Sequence, residues 1–227
     1  MQSQAKWGAI MGSMPREIAI QLGEIQLLGS LQLTDGARGI VVFAHGSGSS
    51  RFSQRNRFVA SVLSDAGLAT LLFDLLTEEE ETVDLVTAEF RFDIDLLAGR
   101  LVDIIDWLAG NDETGHLKIG CFGASTGAAA ALIAAAARPQ SVYAVVSRGG
   151  RPDLAMQALP NVVSPTLLII GSLDDVVIEL NEKAFRSLPA ATEKETVIVA
   201  GASHLFEEPG TLEEVARLAA LWFVKHL

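Results

Sequence analysis

The stretch that most restricts how this chain folds is Gly123-Ala124-Ser125-Thr126-Gly127, preceded by Lys118-Ile119-Gly120-Cys121-Phe122 and followed by an alanine-rich run to Ala137. A strand-like apolar segment runs straight into Gly-x-Ser-x-Gly, and a helix of small residues starts at once. That is the pattern of a nucleophile elbow, a sharp strand-to-helix turn that exposes a serine hydroxyl. The elbow serine takes strained backbone angles, and side chains two positions to either side would crowd the turn, which accounts for Gly123 and Gly127. The run from Ala128 to Ala137 lets the helix lie close against a sheet.

The rest of the chain agrees with a strand followed by a helix, repeated. Residues 16–22 and 25–33 alternate apolar and polar around a Gly23-Glu24 turn, which predicts an antiparallel hairpin at a sheet edge. Gly39 to Ala44 is continuously apolar, as a strand buried on both faces must be, and it ends in His45-Gly46-Ser47-Gly48. A helix is expected over 53–66, with Phe58, Val59, Val62 and Leu63 as its stripe and Gly67 as its stop. A strand follows from Ala69 to Asp74. The acidic run Glu78 to Glu81 is placed in a loop, as a solvated face or the first turn of a helix rather than a metal site. A helix over 93–109 carries Ile94, Leu97, Leu101, Ile104, Ile105 and Leu108 at helical spacing. Further strands are read at Val142 to Val146, Thr166 to Ile170 and Glu195 to Val199, with helices near 178–188 and 211–226. Alternation of this kind implies an α/β domain with a mostly parallel sheet covered on both faces. Residues 1–15 read as a loose tail with Trp7 and Met11 as packing candidates, and 16–227 as one domain.

Composition limits the function classes. At 227 residues the chain fits one α/β domain with a full core, and 49% hydrophobic residues exclude a disordered chain. A net charge of −11 argues against nucleic acid or an anionic membrane surface as partner. One cysteine excludes an internal disulfide and fits a reducing cytoplasm. Neither a signal peptide nor a bilayer-spanning apolar run is read.

A serine hydroxyl is a poor nucleophile at neutral pH and needs a base, which in turn needs an acid to fix its tautomer. Four histidines are available. His226 is terminal, and His116 lies in a polar turn before the elbow strand. His45 precedes the serine and braces a glycine-rich turn. His204 follows a late strand in a loop of small residues and is the candidate base. Asp174 and Asp175 follow the preceding strand and are the candidate acids. The chain order is then Ser125, Asp174, His204, with all three at the carboxyl ends of strands, where ligands sit in open α/β sheets. An oxyanion intermediate needs two N–H donors; Thr126 and Ser47 are the candidates. Asp74 is given a structural turn role, and Cys121 is read as a small buried hydrophobe. Arg51, Arg55, Arg57, Arg148 and Arg151 lie in loops around this edge. Their guanidinium forks suit a substrate carboxylate or phosphate, and the competing role is salt bridging to local carboxylates.

Through His45-Gly46-Ser47-Gly48, Gly123-Ala124-Ser125-Thr126-Gly127, Gly171-Ser172-Leu173-Asp174 and Ser203-His204, the chain resembles the α/β-hydrolase superfamily. Within it, the match is to the small, lidless dienelactone hydrolase-like group, from about residue 16 onward. The resemblance implies an α/β-hydrolase fold: eight strands, the second antiparallel, and no large cap domain. It favours Asp174 over Asp175 as the acid through its Gly-x-x-Asp pattern. Dienelactone hydrolases themselves carry cysteine at the elbow, where this chain has Ser125. Modules similar to this one are in some proteins joined to a phosphoribosyltransferase domain, which is not read in these residues. The expectation is a cytoplasmic serine hydrolase, monomer or homodimer, without metal or organic cofactor. It would act on a small ester, lactone or thioester, with preference for an anionic one. Acyl transfer on the same triad and a receptor of the same fold with little turnover are the alternatives.

Overall fold

The structure is a computed structural model and describes residues 14–227. The expected packing of Trp7 and Met11 lies outside the described residues. Strand β1 (Arg16–Leu22) and β2 (Ile25–Gln32) form the predicted hairpin, with Gly23 at φ 61° in its turn. The remaining elements are β3 (Gly39–Ala44), α1 (Gln54–Asp65), β4 (Ala69–Phe73), α2 (Glu78–Thr87) and α3 (Ile94–Gly110). They continue as β5 (Lys118–Ala124), α4 (Thr126–Ala137), β6 (Val142–Arg148), β7 (Thr166–Gly171), α5 (Asp175–Ser187), β8 (Lys194–Val199) and α6 (Thr211–His226). Two short 3₁₀ turns, Pro152–Ala155 and Leu159–Asn161, fill the connection from β6 to β7.

All eight strands join one sheet in the order β1-β2-β4-β3-β5-β6-β7-β8. β2 runs antiparallel to both its neighbours, and every other pairing from β4 to β8 is parallel. This is the α/β-hydrolase fold. The continuous apolar character of β3 follows from its two-sided burial. Ile40, Val42 and Ala44 face the layer of α3 and α4, while Val41 and Phe43 face that of α1 and α6. Parallel strands place their carboxyl ends on one edge, so the turns after β3, β5, β6, β7 and β8 all open there.

The local signals set most helix ends. Ser53 caps α1 by accepting from the Asn56 amide, and Gly67, at φ 87°, turns the chain away after it. α4 is buried along nearly its whole length because its alanines let it seat on the sheet. α5 begins at Asp175, ahead of the expected start near 178. Of the readings given for the acidic run, the first turn of a helix is the one found: Glu78 to Glu81 open α2 rather than lying in a loop. There Thr77 forms a capping box with Glu80, and four glutamates sit at the positive end of the helix dipole. None of the described helices is long and apolar enough to cross a membrane.

Candidate active site

Ser125 joins β5 to α4 at φ 51° and ψ −120°, a region that costs a residue with a Cβ about 1–3 kcal/mol. Its backbone is tied on both sides. The Ser125 amide donates to the Arg148 carbonyl at 3.2 Å, and the Ser125 carbonyl accepts from the Arg151 and Ala128 amides at 3.0 and 3.1 Å. The flanking glycines are required by proximity. A Cβ on Gly123 would lie 2.4 Å from the Ala128 Cα, and one on Gly127 would lie 2.2 Å from the Ala44 carbonyl oxygen. A Cβ on Gly46 would stand 3.1 Å from that of Ser125, so the turn after β3 lies directly against the serine.

Asp174 and His204 come from the turns after β7 and β8. Asp174 Oδ2 lies 2.6 Å from His204 Nδ1. The two turns are pinned together by the Leu173 amide, which donates to the Ala202 carbonyl at 2.9 Å. The histidine loop is held in turn by Glu208, which accepts from the Ser203 amide at 3.0 Å. That amide keeps the Glu208 carboxyl below its usual range. Asp175 instead opens α5, so the local geometry separates two aspartates that the sequence left adjacent. The His204 ring lies over the turn after β6: a Cβ on Gly149 would be 3.6 Å from its Cε1. This is the same turn, Arg148 to Arg151, whose backbone grips Ser125. With Nδ1–H given to Asp174, Nε2 is the nitrogen left to accept a proton.

The turn after β3 has a histidine of its own. His45 Nε2 accepts from the Leu75 amide at 3.1 Å, and Nδ1 is 3.0 Å from the Gly46 carbonyl. The ring thus links the ends of β3 and β4 in its neutral form. Burial pushes its pKa below the ordinary value, against the opposing pull of the Gly46 carbonyl and Asp74. Ser49 closes the turn by donating to the Gly46 carbonyl at 3.1 Å. Ser47, expected as an oxyanion donor, gives its amide hydrogen to Thr126 Oγ1 at 2.9 Å. The Thr126 amide is at the first position of α4, where no intrahelical acceptor exists.

Four of the five arginines expected around this edge, Arg51, Arg55, Arg148 and Arg151, differ in their surroundings. Arg51 binds Asp74 and Glu17. Arg151 forms a two-pronged pair with Asp153, both bonds at 2.9 Å. Arg55 reaches Glu207 at 3.1 Å. These three follow the competing role of salt bridging. Arg148 is buried without a carboxylate, and its Nη2 donates to Asn56 Oδ1 at 3.3 Å. Burial, assisted by the charge of Arg55, pushes its guanidinium down to about 10. Arg91 was not read as a site residue. Its Nε and backbone amide bind the buried carboxylate of Asp84 at 2.6 and 2.9 Å, and Nη2 binds the Asp84 carbonyl at 2.7 Å. Nη1 is then aimed at the turn after β3, 3.3 Å from where a Cβ on Gly48 would be. Nothing in the spacing of Asp84, Arg91 and Gly48 reveals this contact, since it depends on how α2 folds back.

A cavity of about 340 Å³ lies behind the same turn, on the α2 side, lined by His45, Ser49, Arg51, Asp74, Glu78 and Glu81 among others. Ser125, Asp174 and His204 do not line it, so its carboxylates bear on the turn rather than on the serine. Among the described residues no three His, Cys, Asp or Glu side chains gather as a metal site.

Comparison with known proteins places this geometry in context. A solved dienelactone hydrolase from Anabaena variabilis is 60% identical, superposes with a TM-score of 0.92, and is matched over 95% of this chain and 100% of its own. An esterase from Pyrococcus furiosus shares the fold at 18% identity and a TM-score of 0.77, over 100% of this chain and 97% of its own. Two curated proteins from strains of Mycobacterium tuberculosis, each named "Putative phosphoribosyl transferase", are 56% identical over 93% of this chain. The chain spans only 46% of their length. Residues 29–222, which run from β2 to α6 and include the elbow and the Asp174–His204 contact, match the dienelactone hydrolase family, and the chain belongs to that family of hydrolases.

Proposed function

We propose that this protein is a serine hydrolase that cleaves small esters, lactones or thioesters through an acyl-enzyme. The 2.6 Å contact between Asp174 and His204, beside a serine held at positive φ, carries the reading. Ser125 Oγ attacks the carbonyl carbon as His204 Nε2 takes its proton. Negative charge develops on the carbonyl oxygen near the start of α4, where the Thr126 amide and the turn holding Ser47 stabilise it. As the tetrahedral intermediate collapses, His204 returns the proton to the leaving oxygen or sulfur. A water molecule, deprotonated by His204, then attacks the acyl carbon, releasing the acid and restoring Ser125. Asp174 keeps Nδ1 protonated and stabilises the imidazolium throughout.

Serine in place of the cysteine of dienelactone hydrolases favours general ester chemistry over the namesake lactone. The name of the mycobacterial relatives describes proteins about twice this length and is not carried over. Arg51, Arg151 and Arg91 already hold carboxylates, which weakens a preference for anionic substrates. The buried state of the single cysteine is compatible with a cytoplasmic home. Turnover of p-nitrophenyl acetate and labelling of Ser125 by an alkyl phosphonate test the proposal. Loss of both in Ser125→Ala is expected, and label or turnover that survives the substitution would overturn it.

A further inference from the structure

We propose that the Thr126 hydroxyl donates a hydrogen bond to the oxyanion, so that one residue supplies two of the donors and the Ser47 amide acts through it. The inference rests on the serine-hydrolase reading above and concerns which atoms form the oxyanion hole.

Three observations lead to it. First, the Ser47 amide has a single hydrogen, and that hydrogen is directed to Thr126 Oγ1 at 2.9 Å. For Ser47 to bind the oxyanion directly, this bond would have to break just when preorganised donors are needed. Second, Thr126 is buried, at 4% exposure, and a hydroxyl has one O–H donor beside its two lone pairs. Ser47 fills one lone pair. Among the described residues, the O–H finds no acceptor: the bond from Ser47 is the one hydrogen bond that Thr126 Oγ1 makes. Buried donors are nearly always paired, so an unpaired one next to a nucleophile calls for a substrate atom. Third, the placement suits the oxygen. Thr126 directly follows Ser125 at the start of α4, and Gly46 brings the turn that carries Ser47 against the serine. A ligand oxygen between turn and helix meets the Thr126 amide and hydroxyl together.

The chain of donors also strengthens itself. By accepting from Ser47, the Thr126 oxygen has its O–H polarised and becomes a better donor. Ser47 N–H to Thr126 Oγ, then Thr126 O–H to the oxyanion, keeps every bond of the resting protein and adds one. No group has to turn when the substrate arrives.

Thr126→Val keeps the shape and deletes the hydroxyl; Thr126→Ser keeps the hydroxyl. On an oxygen ester, Thr126→Val should lower kcat about 100-fold at unchanged KM, the low end of the loss for one oxyanion donor. Thr126→Ser should restore most of it. The decisive arm repeats the comparison with the thionoester, whose sulfur is a weak acceptor. There the ratio of wild type to Thr126→Val should fall close to one. This oxygen-to-sulfur comparison is taken within each variant, so it holds even where part of a preparation is unfolded. Wild-type kcat in Thr126→Val, or equal losses on both esters, would overturn the inference while leaving the hydrolase reading standing. Wild-type turnover that is absent, or that survives Ser125→Ala, would remove the hydrolase reading and this inference with it.

Discussion

Gly99→Ala and Gly127→Ala are the same substitution, each inside a helix, yet the structure gives them opposite signs. Gly99 lies in the middle of α3, and a Cβ there would meet nothing within 4 Å. Alanine restricts the unfolded chain and suits the helix, which stabilises by about 0.4–1 kcal/mol. Gly127 is the second residue of α4. A Cβ on it would press to 2.2 Å from the Ala44 carbonyl oxygen and 2.5 Å from that of His45. Both are backbone atoms. Ala44 is held opposite Gly123 in the central pairing of β3 with β5, so neither oxygen can swing aside as a flexible side chain would. Overpacking of a core costs about 1–3 kcal/mol, and two immovable contacts put this site at the upper end. The helical gain of about 1 kcal/mol offsets only part, leaving a net loss of about 2 kcal/mol. For a chain of this size each kcal/mol moves Tm by about 2–4 °C, so Gly127→Ala should melt about 4–8 °C lower. Gly99→Ala should melt about 1–4 °C higher on the same scale. Thermal melts followed by circular dichroism read both. Gly127→Ala should also lose hydrolysis steeply, because Ala44 and His45 lead into the turn beside Ser125, and a shift of about 1 Å at a reacting centre costs about 100-fold. Equal melting temperatures for Gly127→Ala and wild type, or a lower one for Gly99→Ala, would refute this reasoning.

Asp174→Asn should lower kcat by about 10⁴-fold, as when a triad histidine loses its carboxylate partner. Asp175→Asn, at the start of α5, should leave kcat alone and cost only about 0.3–1 kcal/mol of helix-dipole stabilisation; matching losses of activity in the two variants would refute the assignment. Cys121 is fully buried within β5, and burial pushes its thiol up to about 12, so the folded protein should not react with a thiol reagent and the unfolded one should. Rapid labelling of the native protein would contradict this. Burial holds the His45 imidazole below its ordinary value of 6.5, so the folded state favours the neutral ring and the unfolded chain binds the proton more readily. Its contribution to stability is therefore intact above about pH 6.5 and lost as pH falls below it. The Tm of wild type should drop between about pH 7.5 and pH 5 more steeply than that of His45→Gln, and identical slopes would refute the claim.

Much of this protein is written in local pattern. The period-two hairpin, the buried run of β3 and the helical stripe of α3 each encode an element through which side chains must be hidden, and hiding them needs no knowledge of distant residues. The elbow is legible for the same reason, since Gly123, Ser125 and Gly127 answer to a backbone geometry set within five residues. The chain order of Ser125, Asp174 and His204 follows from where parallel strands end. The capping box at Thr77 and Glu80 was also present in the sequence, and it marks α2 where the run of glutamates alone allowed a loop or the first turn of a helix. What the sequence could not decide is which of several equivalent donors and acceptors meet. Asp174 and Asp175 are chemically identical, and only the turn after β7 aims one at His204. Arg51, Arg148 and Arg151 carry the same group, yet packing gives two of them carboxylates and buries the third without one. Arg91 reaches Gly48, and the Ser47 amide reaches a hydroxyl 79 residues away. Periodicity fixes which face of an element is buried, but a hydrogen bond is won or lost over a few tenths of an ångström, and distances that fine are set only when all the layers pack together.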